Sequence, residues 1–413
     1  MSEADLNSEK RIINALRKGN IPNSDVLELS VGREREVELF DDILESIEDD
    51  ESETKFIEGG FGAGKSFLLK CIEEKAFQDD FVVSWITLSN DIRMNKIDLV
   101  YKAITKNLEC KSGTGLKEII ERWYTKLQSS INLSEYDLSQ QNQMMRENIN
   151  EDLKDAREYS NGFATAIDYY LKAVRDENYE VSNNAMAWLT GDFNLTASQK
   201  KKFGVKGDVD KENAITFLKA LSTFIRSLDY SGFVILVDEA EYTMKLHTST
   251  IRDTAYNYIR DIYDACSKNE FDSTLFVFAG TPEFFEDSKK GVKSYTALYD
   301  RISDNFSADL ENYQKPIIHL KGFEHDQIMD LSEKIVEMYE DVYSWDSSGL
   351  IELDEIIDIS EEDAALSGGL VNARKFSRKL IEYLDIVREN PDNASKILEE
   401  IDQNFEEEDI DDW

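Results

Sequence analysis

Residues 59–66 read GGFGAGKS and match the pattern GxxxxGK followed by Ser or Thr, which limits the fold of this chain more than any other feature. The glycines let consecutive backbone N–H groups turn inward around phosphate oxygens, where side chains would collide. TKFIEGG before the match reads as a short strand, and a helical pattern resumes at Ser66. A strand, a glycine-rich loop and a helix are the context that a phosphate-binding loop (P-loop) requires. The pattern predicts a nucleoside triphosphate site; a flexible glycine turn is the alternative.

The residues of this loop have expected roles. Lys65 would neutralise the β- and γ-phosphates, and the Ser66 hydroxyl would ligate Mg²⁺. The helix that begins near Lys65 adds the positive end of its dipole to the same anion. The predicted nucleotide-binding residues here are Gly59, Gly60, Phe61, Gly62, Ala63, Gly64, Lys65, Ser66 and Phe67. The expected ligands are ATP and Mg²⁺.

A second motif is the apolar run FVILVDE at residues 233–239. Such a run is typical of a central parallel strand that is buried on both faces. The carboxylates at its end then lie where ligands of open α/β sheets bind. We expect Asp238 to hold Mg²⁺ through water and Glu239 to orient or deprotonate the attacking water, which favours hydrolysis over kinase chemistry. A strand followed by a polar loop is the alternative.

Weaker candidates follow later in the chain. Thr281 ends the next predicted strand and would hydrogen-bond the γ-phosphate or its water, unless it only caps the strand end. Arg301 precedes the last predicted strand and would reach a neighbouring subunit's phosphate as an arginine finger, unless it is a plain surface arginine. Arg374 would contact the γ-phosphate from the C-terminal helical region; an ordinary helix-surface charge is the alternative.

The order of the predicted elements divides the chain. β-rich runs on either side of the P-loop helix form a strand–helix–strand unit, which implies a parallel sheet and an α/β fold. The predicted parts are an N-terminal helical segment (1–30), a P-loop ATPase core (31–322) with a helical insertion at about 90–205, a helical lid (323–395) and an acidic tail (396–413).

Charge restricts the partners. Asp and Glu number 85 against 47 Lys and Arg, which gives a formal charge of −38, and such a surface repels nucleic-acid backbones. The short clusters KKKFGVK (200–206) and KKGVK (289–293) leave local DNA contact open. The odd, scattered cysteines Cys71, Cys110 and Cys266 favour free thiols in a reducing compartment. Because neither a signal-like segment nor a membrane-length apolar run is present, we expect a cytoplasmic protein.

The box VGRERE at residues 31–36 resembles the GRE motif that precedes the P-loop in AAA+ ATPases of the origin-recognition type. The resemblance implies an AAA+-type P-loop NTPase fold in which Gly32 and Arg33 lie near the adenine. In that group, a P-loop, an acidic strand end, a polar sensor, an arginine finger and a lid with a sensor arginine follow in order. The residues at those places here are Gly32, Lys65, Asp238, Glu239, Thr281, Arg301 and Arg374.

Longer phrases resemble the ATP-binding proteins of BREX phage-defence systems. They are ALRKGNIPN (15–23), GGFGAGKSFLL (59–69), FVVS (81–84), AWLTG (187–191), ILVDEAE (235–241), FAGTPEFF (278–285) and KGVKSYTALYDRI (290–302). Many relatives have His where Phe67 stands, a position that is not a phosphate ligand. The resemblance implies a component of a prokaryotic defence island that acts with a helicase and other island proteins.

Other functions stay open at this point. One is a nucleotide-gated scaffold or signalling protein with slow turnover, and another is a DNA-loading or remodelling ATPase that uses the lysine clusters. The residues after Arg374 leave little room for a winged-helix domain, which argues against DNA loading. A homo-oligomer is compatible with an arginine finger at Arg301.

Overall fold

The computed structural model of the chain describes residues 3–111, 113–130, 137–192, 194–303, 314–366, 371–394 and 397. Within these residues the protein is a mixed α/β structure built on one sheet. The predicted acidic tail at 396–413 lies outside the described residues except for Ile397.

The described residues form a seven-stranded sheet in the order β4-β3-β2-β5-β6-β1-β7. The strands are β1 (Ser52–Gly59), β2 (Val82–Thr87), β3 (Leu108–Cys110), β4 (Gly113–Thr114), β5 (Phe233–Asp238), β6 (Thr274–Gly280) and β7 (Ile317–Leu320). β5 runs parallel to both β2 and β6, as the βαβ pattern predicts. β3 is antiparallel to β2 and β4 to β3, so the predicted parallel sheet is mixed at this edge. β3 and β4 are too close in sequence for a parallel connection, which needs a crossover of about a dozen residues or more.

Helices make up most of the remaining structure. They are α1 (Glu3–Arg17), α2 (Glu34–Glu48), α3 (Lys65–Gln78), α4 (Ile97–Lys106), α5 (Gly115–Ser130), α6 (Leu138–Asp152), α7 (Lys154–Tyr159), α8 (Asn161–Arg175), α9 (Tyr179–Leu189), α10 (Ala197–Lys202), α11 (Ala214–Ser227), α12 (Ser249–Cys266), α13 (Pro282–Glu286), α14 (Thr296–Ile302), α15 (His325–Tyr343), α16 (Leu353–Leu366) and α17 (Ala373–Glu389). Helices α4–α10 fall in the span that the sequence predicts to be a helical insertion, and β3 and β4 lie there too. None of the described helices is long and apolar enough to cross a bilayer.

The chain divides into two compact units. The described residues of the first fall in Met1–Phe40, Glu58–Glu74 and His319–Trp413, and those of the second in Asp41–Ile57 and Lys75–Ile318. The P-loop therefore belongs to the first unit, with the N-terminal and C-terminal helices, and Asp238 belongs to the second.

The core of the second unit surrounds the central strands. Every residue of β5 and β6 is buried, because helices cover both faces of a parallel sheet. Phe56 of β1 stacks on Phe278 of β6 with ring centroids 5.5 Å apart. This continuous apolar packing holds the strand ends in place.

The core of the first unit joins α1, α15 and α17. Ile12 and Ile13 of α1 are fully buried in it. At its margin, Arg17 Nε donates to Asp385 Oδ2 over 2.7 Å, and the Tyr339 hydroxyl donates to Asp385 Oδ1 over 2.7 Å. Burial acts to raise the pKa of Asp385, but these hydrogen bonds outweigh it and hold that pKa below its usual value. The ion pair thus fixes α1 against α17.

Gly232, just before β5, lies where the second unit is closely packed. A Cβ here would collide with the Ser273 carbonyl oxygen and would stand 2.7 Å from the Phe81 ring. We expect Gly232→Ala to lower the free energy of unfolding by about 1–3 kcal/mol, measured by urea denaturation. Gly60→Ala is the control, since nothing lies within 4 Å of its Cβ position. Equal losses in the two variants would contradict this packing.

Candidate functional site

The P-loop joins β1 to α3 through a tight turn. Gly62 and Gly64 have φ values of +80° and +90°, which residues with a side chain rarely adopt. The Ala63 N–H donates to the Gly60 carbonyl over 3.2 Å and closes the turn. The Cβ position of Gly60 is open, so the loop keeps room that a side chain would fill. This backbone fits a phosphate group.

Lys65 is the first residue of α3 and is largely buried. Its Nζ donates to the carbonyls of Gly59 and Gly60 over 2.8 and 3.1 Å and lies 5.6 Å from the centroid of the Phe61 ring. Phe61 itself is 84% exposed. The ammonium group is therefore held at the loop, at the N-terminal end of a helix, as an anion site requires.

Arg33, for which the resemblance implies a place near the adenine, contacts the backbone of the P-loop. Its side chain is 3% exposed, and Nη2 donates to the Ala63 carbonyl over 3.1 Å and to the Lys321 carbonyl over 2.6 Å. The guanidinium also stacks on the Phe323 ring, 4.6 Å from its centroid. Neighbouring Gly32 has φ +72°, and its carbonyl accepts from Gln327. In this structure the box positions the loop.

Replacing Arg33 tests this support. Arg33→Ala removes charge-assisted bonds to Ala63 and Lys321, so we expect the free energy of unfolding to fall by about 1.5–3 kcal/mol. ATP affinity should fall as well, because the loop loses its brace. Arg35→Ala, on an exposed part of the same box, is the control. Unchanged stability and ATP affinity in Arg33→Ala would contradict the positioning role.

The start of α17 also touches the loop. The Asn372 side chain caps α17 by accepting from the Arg374 and Lys375 N–H groups, and its Nδ2 lies 2.5 Å from the point where a Gly62 Cβ would stand. Arg374 donates from Nε to the Gly19 carbonyl. Thus the structure brings Asn372 to the P-loop and attaches Arg374 to the end of α1.

The acidic pair follows β5 in the second unit. Asp238 is 6% exposed, and its Oδ1 accepts from the Glu239 N–H over 2.9 Å. Glu239 is exposed and has φ +57° and ψ +40°, a left-handed conformation that costs a residue with a side chain roughly 1 kcal/mol or more. Such strain is concentrated at functional sites. The carboxylate that the sequence assigns to water activation is thus exposed at the strand end.

Thr281 lies beside this pair at the same edge of the sheet. It follows β6, which runs parallel to β5 with Val237 opposite Phe278. Thr281 is buried and is the N-cap residue of α13, but its side chain makes no capping hydrogen bond. The contact of Thr281 with the γ-phosphate or its water stays a prediction.

Arg301 is engaged within its own chain. Its Nε donates to Asp264 Oδ1 over 2.6 Å, and Nη2 donates to Oδ2 over 3.1 Å. Another bond goes to the Ala297 carbonyl, at the start of the same helix, α14. The side chain is 38% exposed. An arginine finger acting on a neighbour would have to leave Asp264.

The match to known proteins extends over nearly all of these residues. A family model for BREX system ATP-binding proteins BrxC/D covers residues 6–402. The chain belongs to this family. Membership supports an ATP-binding role in BREX phage defence and agrees with the P-loop geometry. None of the curated proteins matches the sequence.

Two features of this BrxC/D-family chain could not be located from local motifs. Arg33 lies 30 positions before its P-loop acceptor, Ala63, and Asn372 contacts Gly62 from the far end of the chain. The GRE-like box drew attention to Arg33, but no signal marked Asn372. Phe67, by contrast, packs against the core of the first unit.

The thiols of this family member confirm the expectation of free cysteines. Cys71, Cys110 and Cys266 are buried and form no disulfide bond. Burial raises the pKa of both Cys71 and Cys266 to about 12, which keeps these thiols protonated and unreactive at neutral pH. One polar grouping was not expected: ligand atoms of His325, Asp358 and Glu361 lie within 4.8 Å of one another at the surface.

Proposed function

We propose that this chain binds ATP with Mg²⁺ at its P-loop and hydrolyses it with the help of Asp238 and Glu239, as an AAA+-type ATPase of a BREX system. The P-loop carries the proposal: left-handed glycines and an anchored Lys65 stand at the start of α3 in a chain of an ATP-binding family. Lys65 and the loop N–H groups would bind the β- and γ-phosphates.

The sheet order supports the participation of the acidic pair. β1, which leads into the P-loop, neighbours β6, and β6 neighbours β5. The Ser66 hydroxyl and the Asp238 carboxylate are hard oxygen ligands of the kind that Mg²⁺ takes. When bound, Mg²⁺ would neutralise charge on the phosphates. Glu239 would orient or deprotonate the attacking water, and Thr281 would hydrogen-bond that water or the γ-phosphate.

The experiment that tests this function is ATP binding and steady-state hydrolysis by the full chain, with Mg²⁺ and with a chelator. We expect saturable binding and Mg²⁺-dependent phosphate release. Absence of ATP binding with Mg²⁺ would overturn the proposal. Binding without release under any condition would favour the nucleotide-gated scaffold.

The same proposal gives Arg374 and Arg301 roles in contacting phosphate and includes protein partners. Arg374 would move from Gly19 to the γ-phosphate, and Arg301 would exchange Asp264 for a neighbour's phosphate if ATP produces a homo-oligomer. ATP turnover would change lid angle or a subunit contact, and other defence-island proteins, a helicase among them, would respond to it. Sizing with ATP checks the oligomer.

Direct DNA binding receives less support. Lys200 is largely buried and lies 2.8 Å from Asp208, Lys202 lies 2.6 Å from Glu180, and Lys293 lies 2.5 Å from Glu286. These ion pairs offset the charge of Lys200, Lys202 and Lys293 within the two clusters. Duplex DNA added to the hydrolysis assay tests this alternative: stimulation that fades steeply with salt would favour it.

A further inference from the structure

A pocket of about 600 Å³ lies within the first unit, between one face of α1, the loop that follows it and the start of α17. Its cationic lining residues are Arg11, Lys18 and Arg374. Among the described residues that line it, none is acidic. In a chain of charge −38 this is a local reversal of sign. An environment of this kind attracts anions.

The loop after α1 is held by hydrogen bonds on both sides of the pocket residues. α1 ends at Arg17, and Gly19, with a φ of +65°, allows the chain to turn. The Asn20 N–H donates back to the Ala15 carbonyl over 2.9 Å. The Glu74 carboxylate of α3 accepts from the Val26 N–H over 2.6 Å and holds the loop beyond the pocket. The loop side chains are therefore presented by a fixed backbone.

Several polar side chains of the pocket keep groups that make no hydrogen bond or ion pair with other described residues. Lys18 has no ion pair, and Asn20 and Asn23 have no side-chain hydrogen bond, among the described residues. The Arg374 side chain donates from Nε to the Gly19 carbonyl, and its Nη1 and Nη2 have no hydrogen-bond partner among the described residues. Arg11 Nη2 forms an ion pair with Asp25 Oδ2 over 2.8 Å. Lys18, Asn20, Asn23 and two nitrogens of Arg374 therefore keep donors for a ligand.

We propose that this pocket is an anion site, separate from the P-loop, for a phosphate-bearing small molecule. Arg11 and Lys18 supply charge, joined by Arg374 while it is bonded to Gly19 rather than to the γ-phosphate. Asn20 and Asn23 supply neutral donors, and the combination suits phosphate oxygens. The volume exceeds a single phosphate ion and lies within the range of small-molecule pockets, about 300–1,000 Å³. Because α17 carries both Arg374 and Asn372, which touches Gly62, the ligand contacts a helix that also contacts the P-loop.

Calorimetry with inorganic tripolyphosphate, in metal-free buffer, tests the site on the full chain. The background is Lys65→Ala, which removes the P-loop ammonium. We expect Lys65→Ala to retain tripolyphosphate binding, and Lys65→Ala with Lys18→Glu to bind it about tenfold or more weakly, since a charge-assisted bond becomes a repulsion. The matched control is Lys65→Ala with Lys10→Glu, an exposed lysine of α1 that does not line the pocket. It should bind tripolyphosphate as Lys65→Ala does.

The outcomes separate this site from the ATPase proposal. Loss of all tripolyphosphate binding in Lys65→Ala would place the anion at the P-loop and overturn the pocket. Equal weakening by Lys18→Glu and Lys10→Glu would reduce the effect to net charge and overturn it as well. Failure of the wild type to bind ATP would leave the pocket result standing. Thermal melts of each variant establish that it is folded.

Discussion

Replacing Glu239 with Gln is expected to leave ATP binding intact and to slow hydrolysis by about 10²–10⁴-fold, the typical contribution of a positioned general base. Glu239 is exposed at the end of β5, and its backbone N–H donates to Asp238. Gln has the same shape and keeps that backbone bond, but its amide cannot accept a proton from water. The loss should therefore appear in kcat.

Steady-state phosphate release and equilibrium ATP binding, measured on the same preparations, check this prediction. The matched control is Glu283→Gln, an exposed acid just after the neighbouring strand β6, which should keep wild-type turnover. If Glu239→Gln hydrolyses ATP as fast as the wild type, Glu239 does not activate water. A larger species that appears with ATP in Glu239→Gln would make Arg301 the leading residue for action on a neighbour.

Replacing Lys65 with Ala should weaken ATP binding by about 100-fold or more. The ammonium group would bond both the β- and γ-phosphates, and each charge-assisted bond contributes roughly 1.5–3 kcal/mol. The fold should survive, because among the described residues the hydrogen bonds of the Lys65 ammonium go to the carbonyls of its own loop, Gly59 and Gly60. The expected signature is a lost affinity for ATP with an unchanged melting temperature.

Equilibrium binding of ATP with Mg²⁺ measures this effect, with thermal melting alongside. Lys70→Ala is the control, since Lys70 lies on the same helix, α3, and pairs with Glu73. Its ATP affinity should stay within about twofold of the wild type, as for a partly exposed ion pair away from the ligand. If Lys65→Ala binds ATP as tightly as Lys70→Ala, the phosphates do not bind at this loop.

Contiguous motifs were predicted well because their geometry depends on neighbouring residues. Gly62 and Gly64 adopt left-handed conformations that other residues avoid, so the glycine pattern itself predicts the conformation of the loop. The apolar run before Asp238 is a buried strand, as its composition predicts. The roles of Thr281, Arg301 and Arg374 stay predictions, since each rests on its order in the chain.

Long-range contacts were not predicted. The resemblance implied that Arg33 lies near the adenine, which stays a prediction, but it did not indicate that the guanidinium bonds the carbonyls of Ala63 and Lys321. The sequence also gave no reason to join Arg17 to Asp385, or the lysines of the two clusters to acidic partners. Which charged side chains become neighbours depends on how the helices pack, and the sequence around a charged residue does not identify its partner.

By itself, then, the sequence determined the P-loop, the acidic strand end, the α/β class and the family, because each is encoded in residues adjacent along the chain. The tertiary structure alone decided the antiparallel edge of β3 and β4, the brace that Arg33 gives the P-loop, and the cationic pocket beside α1. The brace and the pocket join residues far apart in sequence, and only the burial of a shared core brings such residues together. β3 and β4 are close in sequence, but runs of three and two residues are too short to show a strand pattern.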